Sequence, residues 1–155
     1  MGCGKSSVGK DLSTLLGIPV IDLDRYIEEK AGKSIPDIFA EHGEAYFRDL
    51  ETSALTEVLS KQSFILSLGG GTILREENVE MIKERCTCVY LRAGVETLRR
   101  HLGGEQSQRP LLKGGGFEAL LEERRPLYAA AADFTIDIDT LTPMQIAGII
   151  ANLIS

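Results

Sequence analysis

The chain has 155 residues, 43% hydrophobic and 26% charged, which suits one soluble globular domain with a sizeable core. A net charge of −6 argues against a general nucleic-acid or acidic-membrane binder, so an anionic ligand has to be gripped by a few aimed cations. No apolar run is long enough to span a bilayer, no signal peptide is evident, and three cysteines without framework spacing fit a reducing, cytoplasmic setting.

Met1 to Ser7 read Met-Gly-Cys-Gly-Lys-Ser-Ser, the back half of a phosphate-binding loop G-x-x-x-x-G-K-[ST]. In such a loop, backbone N–H groups and a helix N-terminus point at phosphate. Gly2 and Gly4 permit close approach, Lys5 reaches the β/γ-phosphates and the Ser6 hydroxyl binds Mg²⁺. Taken alone, the segment also fits a glycine turn capping an ordinary helix. The first glycine of the loop would fall upstream of Met1. Roughly ten further residues, a strand and the loop's first turn, are therefore expected ahead of it. A polypeptide starting at Met1 is expected to fold and bind nucleotide poorly, because neighbouring strands would lack a partner.

Ser7–Leu16 reads as a helix with Val8, Leu12, Leu15 and Leu16 as its apolar stripe. Ile18 to Asp22 is a short strand ending in acid. Leu23 to Ala31 and Ile35 to His42 read as short helices split by Gly32, the second opened by Ser34 and Asp37 as a capping box. Gly43 breaks the chain before a longer helix, Glu44 to Lys61. Phe64 to Leu68 is a buried strand running into Gly69-Gly70-Gly71. Glu76 to Arg85 is helical, Thr87 to Leu91 a strand and Val95 to Leu102 a helix. Cys86 and Cys88 alternate where that strand begins and so face one side, where burial is their expected role. Leu102 to Gly116 is a long polar, glycine-rich stretch, a candidate lid. Phe117 to Ala131 returns to helix and Phe134 to Ile138 is the last strand. Thr142-Pro143-Met144-Gln145 opens a final helix with an N-cap, a proline at its first position and Gln at its third.

Strands alternating with helices imply a doubly covered parallel sheet, with ligands beyond the carboxyl ends of its strands. That rule gathers the loop before Lys5, the acids Asp22 and Asp24, and the glycines 69–71 at one edge. Asp22 and Asp24 can serve a Mg²⁺-bound phosphate and a substrate hydroxyl, although a strand end and helix cap favour Asp as well. Arg48 and Glu51 share a helix face, as a carboxylate grip with its orienting acid or as an ordinary surface ion pair. Three successive glycines at a strand end allow backbone to approach a ligand, or simply turn the chain. Arg109 stands alone in the lid, where it could stabilise a transferring phosphoryl group. Arg124 and Arg125 are adjacent on a helix, so at most one faces the site.

Together these pieces resemble shikimate kinase, a small P-loop kinase related in fold to nucleoside monophosphate kinases. The resemblance is carried by G-C-G-K-S-S at 2–7, D-L-D at 22–24, D-I-F-A-E-H-G-E-A-Y-F-R-D-L-E at 37–51, G-G-G at 69–71, R-P-L-L at 109–112 and R-R-P-L-Y at 124–128. It implies an α/β three-layer sandwich around a parallel sheet of about five strands, the first of them absent from this sequence. The single kinase domain then has a core of about 1–22 and 62–155, substrate-binding helices at about 24–61 and a lid at about 102–116.

The implied reaction moves the γ-phosphate of ATP to the 3-hydroxyl of shikimate, with Mg²⁺. By position, Gly2, Cys3, Gly4, Lys5, Ser6 and Ser7 would cradle the nucleotide, with Ser6 and Asp22 serving Mg²⁺. Asp24, Arg48, Gly70, Gly71 and Arg124 look like the shikimate set, with Glu51 supporting Arg48 and Phe39 and Phe47 walling the pocket. Arg124 matches rather than Arg125 because the family arginine stands two before the proline. Lys5, Asp24 and Arg109 look like the catalytic group, and Arg100 and Pro143 like adenine-side contacts. The resemblance implies a cytoplasmic monomer whose partners are small molecules. Another P-loop kinase, acting on gluconate or a nucleotide, is the nearest alternative. A non-catalytic nucleotide-binding domain is a second, disfavoured by the presence of Lys5, Asp24, Arg48, Arg109 and Arg124 together.

Overall fold

The computed structural model describes residues 5–94 and 117–154, with side chains from Ser7 to Gly94 and from Ala119 to Ile154. Helix α1 (Lys5–Leu16) closes on Gly17, whose φ of 69° is the left-handed cap expected of glycine. Strand β1 (Val20–Asp22) leads directly into α2 (Leu23–Ala31), capped by the Asp22 side chain at its start and by Gly32 at its end. Helix α3 runs from Ile35 to Leu59 and is broken within by Gly43 (φ 83°, ψ 176°), so it is two helices meeting at a corner, as the sequence suggests. Then follow β2 (Ile65–Ser67), a 3₁₀ turn (Thr72–Leu74), α4 (Glu76–Arg85) and β3 (Val89–Arg92). After the candidate lid come α5 (Phe117–Ala131), β4 (Phe134–Asp137) and α6 (Pro143–Leu153). Thr142 and Gln145 form the complete capping box expected at the start of α6.

The four strands among the described residues lie in two parallel pairs. Val20, Ile21 and Asp22 of β1 face Ile65, Leu66 and Ser67 of β2, and Val89 to Arg92 of β3 face Phe134 to Asp137 of β4. No ladder joins β2 to β3 among the described residues. Between them lies an apolar slot of about 540 Å³, lined in part by Ile65, Leu66, Val89, Leu91, Leu12 and Ile150.

Successive side chains of a strand point to opposite faces. Accordingly, Ile65 packs against the cluster of Val8, Leu12, Ile146, Ala147 and Ile150, while its neighbour Leu66 packs against that of Leu23, Ile27, Leu55 and Val58. Helices α1 and α6 thus cover one face and α2 and α3 the other, the architecture implied by the alternation of elements.

Several boundaries differ from the sequence reading. Helix α1 begins two residues early, at Lys5. Leu15 is exposed, because Val8, Leu12 and Leu16 already fill the stripe facing α6. Helix α3 stops at Leu59 rather than Lys61. Cys86 caps α4 rather than opening a strand, and both Cys86 and Cys88 are half-buried free thiols. Burial pushes both thiols above the ordinary value, and Asp133 adds to the shift at Cys88. The expected helix at 95–102 and the lid at 102–116 lie outside the described residues.

Candidate active site

The site is built where β1 and β2 end side by side. Strand β1 ends on Asp22, and Asp24 follows in the first turn of α2. The Asp22 carboxylate accepts the Arg25 N–H at 3.2 Å through Oδ1, which fixes the start of α2. Strand β2 runs into the glycines 69–71, and these two segments meet. A Cβ placed on Gly69 would sit 2.7 Å from Asp24 Oδ1, and one on Gly71 would overlap the Arg48 guanidinium. The triple glycine is therefore not a slack turn: its two outer members are where an acid and a cation press against backbone. The middle member is held from a third side, since the Tyr128 hydroxyl donates to the Gly70 carbonyl at 2.7 Å.

Arg48 lies on α3 past the Gly43 corner and is only 8% exposed. Its Nη1 donates to Glu51 Oε1 at 2.8 Å and its Nη2 to Glu44 Oε2 at 3.3 Å. Glu51 is 1% exposed, so the surface ion pair that the spacing also allowed is overturned: this pair is interior. Carrying a charge inside is costly unless it is paired and hydrogen-bonded, as Arg48 is here. Arg48 also lies over the Phe47 ring, 5.2 Å from its centroid, and Phe47 packs on Phe39 with ring centroids 5.0 Å apart. The two phenylalanines thus stand beside Arg48 as an apolar wall.

Arg124 and Arg125 separate as expected. Arg125 turns away, donating from Nη2 to the Ala93 carbonyl at 3.1 Å and standing 3.7 Å from Glu122. Arg124 is 5% exposed, and no described residue hydrogen-bonds or ion-pairs with its guanidinium. It lies one helical turn before Tyr128, on the face of α5 that reaches Gly70. A buried cation with no counter-ion among the described residues is suited to receiving a ligand anion.

Lys5 and Ser6 form the first turn of α1, where unpaired N–H groups gather, and Ser7 follows as an exposed residue. Pro143 occupies the first position of α6. Gly2, Cys3, Gly4, Arg100 and Arg109 fall outside the described residues. Among the described residues, no three His, Cys, Asp or Glu side chains cluster as a metal cage.

Several participants carry no recognisable sequence signal. Thr72 and Asn78 are both 0% exposed and hydrogen-bonded beneath the glycine loop, yet each is an ordinary polar residue in an ordinary segment. Glu44 adds a second acid to Arg48. Tyr128 ends the R-R-P-L-Y motif, which was the one available cue to its role.

A family model described as shikimate kinase matches residues 1–155, the whole chain. The chain belongs to the shikimate kinase family. A shikimate kinase of Dictyoglomus turgidum is 46% identical over 144 residues, covering 90% of this chain and 84% of that protein. A shikimate kinase of Salinibacter ruber is 41% identical over 151 residues, with 90% and 74% covered. Among solved structures, the shikimate kinase of Acinetobacter baumannii in complex with shikimate superposes with a TM-score of 0.94 at 38% identity, covering 99% of this chain and 88% of that one. The shikimate kinase of Bacteroides thetaiotaomicron superposes with a TM-score of 0.86 at 34% identity, covering 99% and 91%. The fold of shikimate kinases is thus the fold of this chain, and the kinase class follows from membership of the family.

Proposed function

We infer that the chain transfers the γ-phosphate of ATP to the 3-hydroxyl of shikimate, giving shikimate 3-phosphate for aromatic biosynthesis. The observation that carries this reading is the glycine loop 69–71, with an acid, Asp24, against one end and a cation, Arg48, against the other. Shikimate is a ring acid with a carboxylate at one end and hydroxyls at the other, so it needs that polarity across a short span. Membership of the family and the likeness to a shikimate-bound relative support the same substrate.

In this reading, Arg48 and Arg124 hold the substrate carboxylate, and backbone groups of Gly70 and Gly71 line the ring. Asp24 orients the reacting hydroxyl and is placed to accept its proton. Glu51 keeps Arg48 in position, and Phe39 and Phe47 wall the ring. On the nucleotide side, Gly2, Cys3, Gly4, Lys5, Ser6 and Ser7 wrap the phosphates, Arg109 covers them from the lid, and Arg100 and Pro143 flank the adenine. Phosphoryl transfer needs positioning and charge neutralisation more than covalent chemistry, and these cations supply it. Ser6 and Asp22 would hold Mg²⁺, which when bound would neutralise charge on the phosphates. Lid residues at about 102–116, substrate helices at about 24–61 and the remaining core complete one cytoplasmic, monomeric kinase domain.

A coupled assay of ADP release, run with shikimate, gluconate and a nucleoside monophosphate as separate acceptors, tests the reading. Turnover with shikimate alone is expected. Turnover confined to either other acceptor would replace the substrate, and ATP binding without turnover on any would replace the activity.

A further inference from the structure

Beneath the glycine loop lies a chain of buried polar contacts that the proposed chemistry does not itself use. The two oxygens of Glu51 are held by donors from different elements: Oε1 accepts from Arg48 Nη1 at 2.8 Å, and Oε2 accepts from the Thr72 hydroxyl at 2.9 Å. Thr72 opens the 3₁₀ turn directly after Gly71. Its backbone N–H donates to the Gly69 carbonyl at 3.3 Å, and the Leu74 N–H donates to the Gly71 carbonyl at 3.1 Å. The Thr72 carbonyl in turn accepts from Asn78 Nδ2 at 2.9 Å. The other end of the same amide, Oδ1, accepts from the Thr52 hydroxyl at 3.0 Å. Thr52 also accepts from Arg75 Nη1 at 3.3 Å, while Arg75 Nη2 donates to Asp49 at 2.8 Å.

The path closes on itself. It leaves α3 at Glu51, crosses to the 3₁₀ turn, passes through Asn78 at the start of α4 and returns to α3 at Thr52, the residue after Glu51. Glu51, Thr72 and Asn78 are all buried. An apolar residue of similar volume would fill the place of Asn78 at less desolvation cost, so simple space-filling does not account for an amide there. A carboxylate held by two donors from separate elements has one orientation, and it passes that orientation to the guanidinium bonded to it.

We propose that Thr72 and Asn78 are positioning residues for substrate binding: they lock Glu51, and through it Arg48, to the same 3₁₀ turn that holds the glycine loop. The guanidinium and the backbone lining the ring are thereby kept in fixed relation before substrate arrives. The proposal rests on the reading that Arg48 receives the substrate carboxylate. It makes a fixed guanidinium a property of the free protein as well.

The test uses Thr72→Val, which keeps shape and removes the hydroxyl, Thr72→Ser, which restores it, and Thr52→Val, which acts one bond further out at a half-buried site. Two readouts are taken: ¹⁵N relaxation of the Arg48 Nε–H in the ligand-free protein, assigned with Arg48→Lys, and calorimetric titration with shikimate. Steady-state KM values for shikimate and ATP accompany them. Thr72→Val is expected to mobilise the Arg48 side chain and weaken shikimate roughly tenfold or more, as for loss of one buried hydrogen bond to a charge. The KM for ATP should be unchanged. Thr72→Ser should restore both readouts, and Thr52→Val should show the same pattern in milder form. If Thr72→Val fails to fold, Thr52→Val against the parent decides. Unchanged Arg48 relaxation and unchanged shikimate affinity would overturn the proposal, as would equal losses for shikimate and ATP. If the parent protein itself ignores shikimate while Thr72→Val still frees Arg48, the substrate reading fails and the positioning role stands.

Discussion

Tyr128 donates its phenolic hydrogen to the carbonyl of Gly70 at 2.7 Å, across 58 residues of sequence. This bond ties helix α5, which carries Arg124, to the loop that meets both Asp24 and Arg48. Two halves of the site, one from the front of the chain and one from the back, are thereby registered against each other. Tyr128→Phe removes only the hydroxyl. It is expected to cost about 1 kcal/mol of stability, the net worth of an ordinary hydrogen bond, and to raise the KM for shikimate several-fold while leaving that for ATP alone. Thermal denaturation and steady-state kinetics with each substrate varied in turn check both parts.

Arg48→Ala is expected to weaken shikimate at least about a hundredfold, since charge-assisted hydrogen bonds contribute roughly 1.5–3 kcal/mol each and an arginine can make two. ATP affinity should survive. The same change strands Glu51, an interior carboxylate, so the melting temperature should fall as well. Arg48→Ala combined with Glu51→Gln should recover stability without recovering binding. Calorimetry with both ligands separates the effects, and retained shikimate affinity in Arg48→Ala would remove that residue from the site.

The two outer glycines should fail in different ways. A methyl at Gly71 collides with the Arg48 guanidinium, so Gly71→Ala is expected to raise the KM for shikimate by an order of magnitude or more, roughly as a displaced binding group does. A methyl at Gly69 presses on the Asp24 carboxylate, so Gly69→Ala should act mainly on kcat, through the residue proposed to orient the hydroxyl and accept its proton. Kinetics in which both variants changed the same parameter to the same degree would refute this division of labour.

The half-buried thiols give a pH signature. Burial raises both, with the carboxylate of Asp133 adding to the effect at Cys88. Because the folded value is raised, the fold favours the neutral thiol. The resulting stabilisation is present below the ordinary thiol value and is lost as pH rises through the raised one. Alkylation by iodoacetamide at pH 8, followed by peptide mapping, should therefore be slower at Cys86 and Cys88 in the folded protein than in the denatured chain. The rates should climb on going to more alkaline pH. Equal rates in the folded and denatured states would contradict the buried setting.

Much of the scaffold was legible from local chemistry. Ser34, Thr142 and Gln145 mark helix starts because their side chains satisfy N–H groups that no helix can satisfy for itself. Gly32 and Gly43 mark stops because the left-handed backbone there disfavours any side chain. Leu15 and Cys86 were misread because periodicity says which residues share a face, but not how wide a stripe the neighbouring helix covers or where the last turn of a helix yields to strand.

At the site, the order of motifs named the residues but left their settings open. By itself the sequence determined the parallel α/β plan from the alternation of its elements, and its ordered motifs carried the family resemblance that implied candidate roles for Asp24, Arg48 and Arg124. Only the tertiary structure decided that Arg48–Glu51 is an interior pair, that Gly69 and Gly71 are contact points rather than slack, and that Arg124 rather than Arg125 has no counter-ion among the described residues. It alone brought Thr72, Asn78 and Tyr128 into the account. The reason is physical: burial and hydrogen-bond partnership are relations between segments distant in sequence, and the strength of a charge or polar group depends on whether water or protein surrounds it.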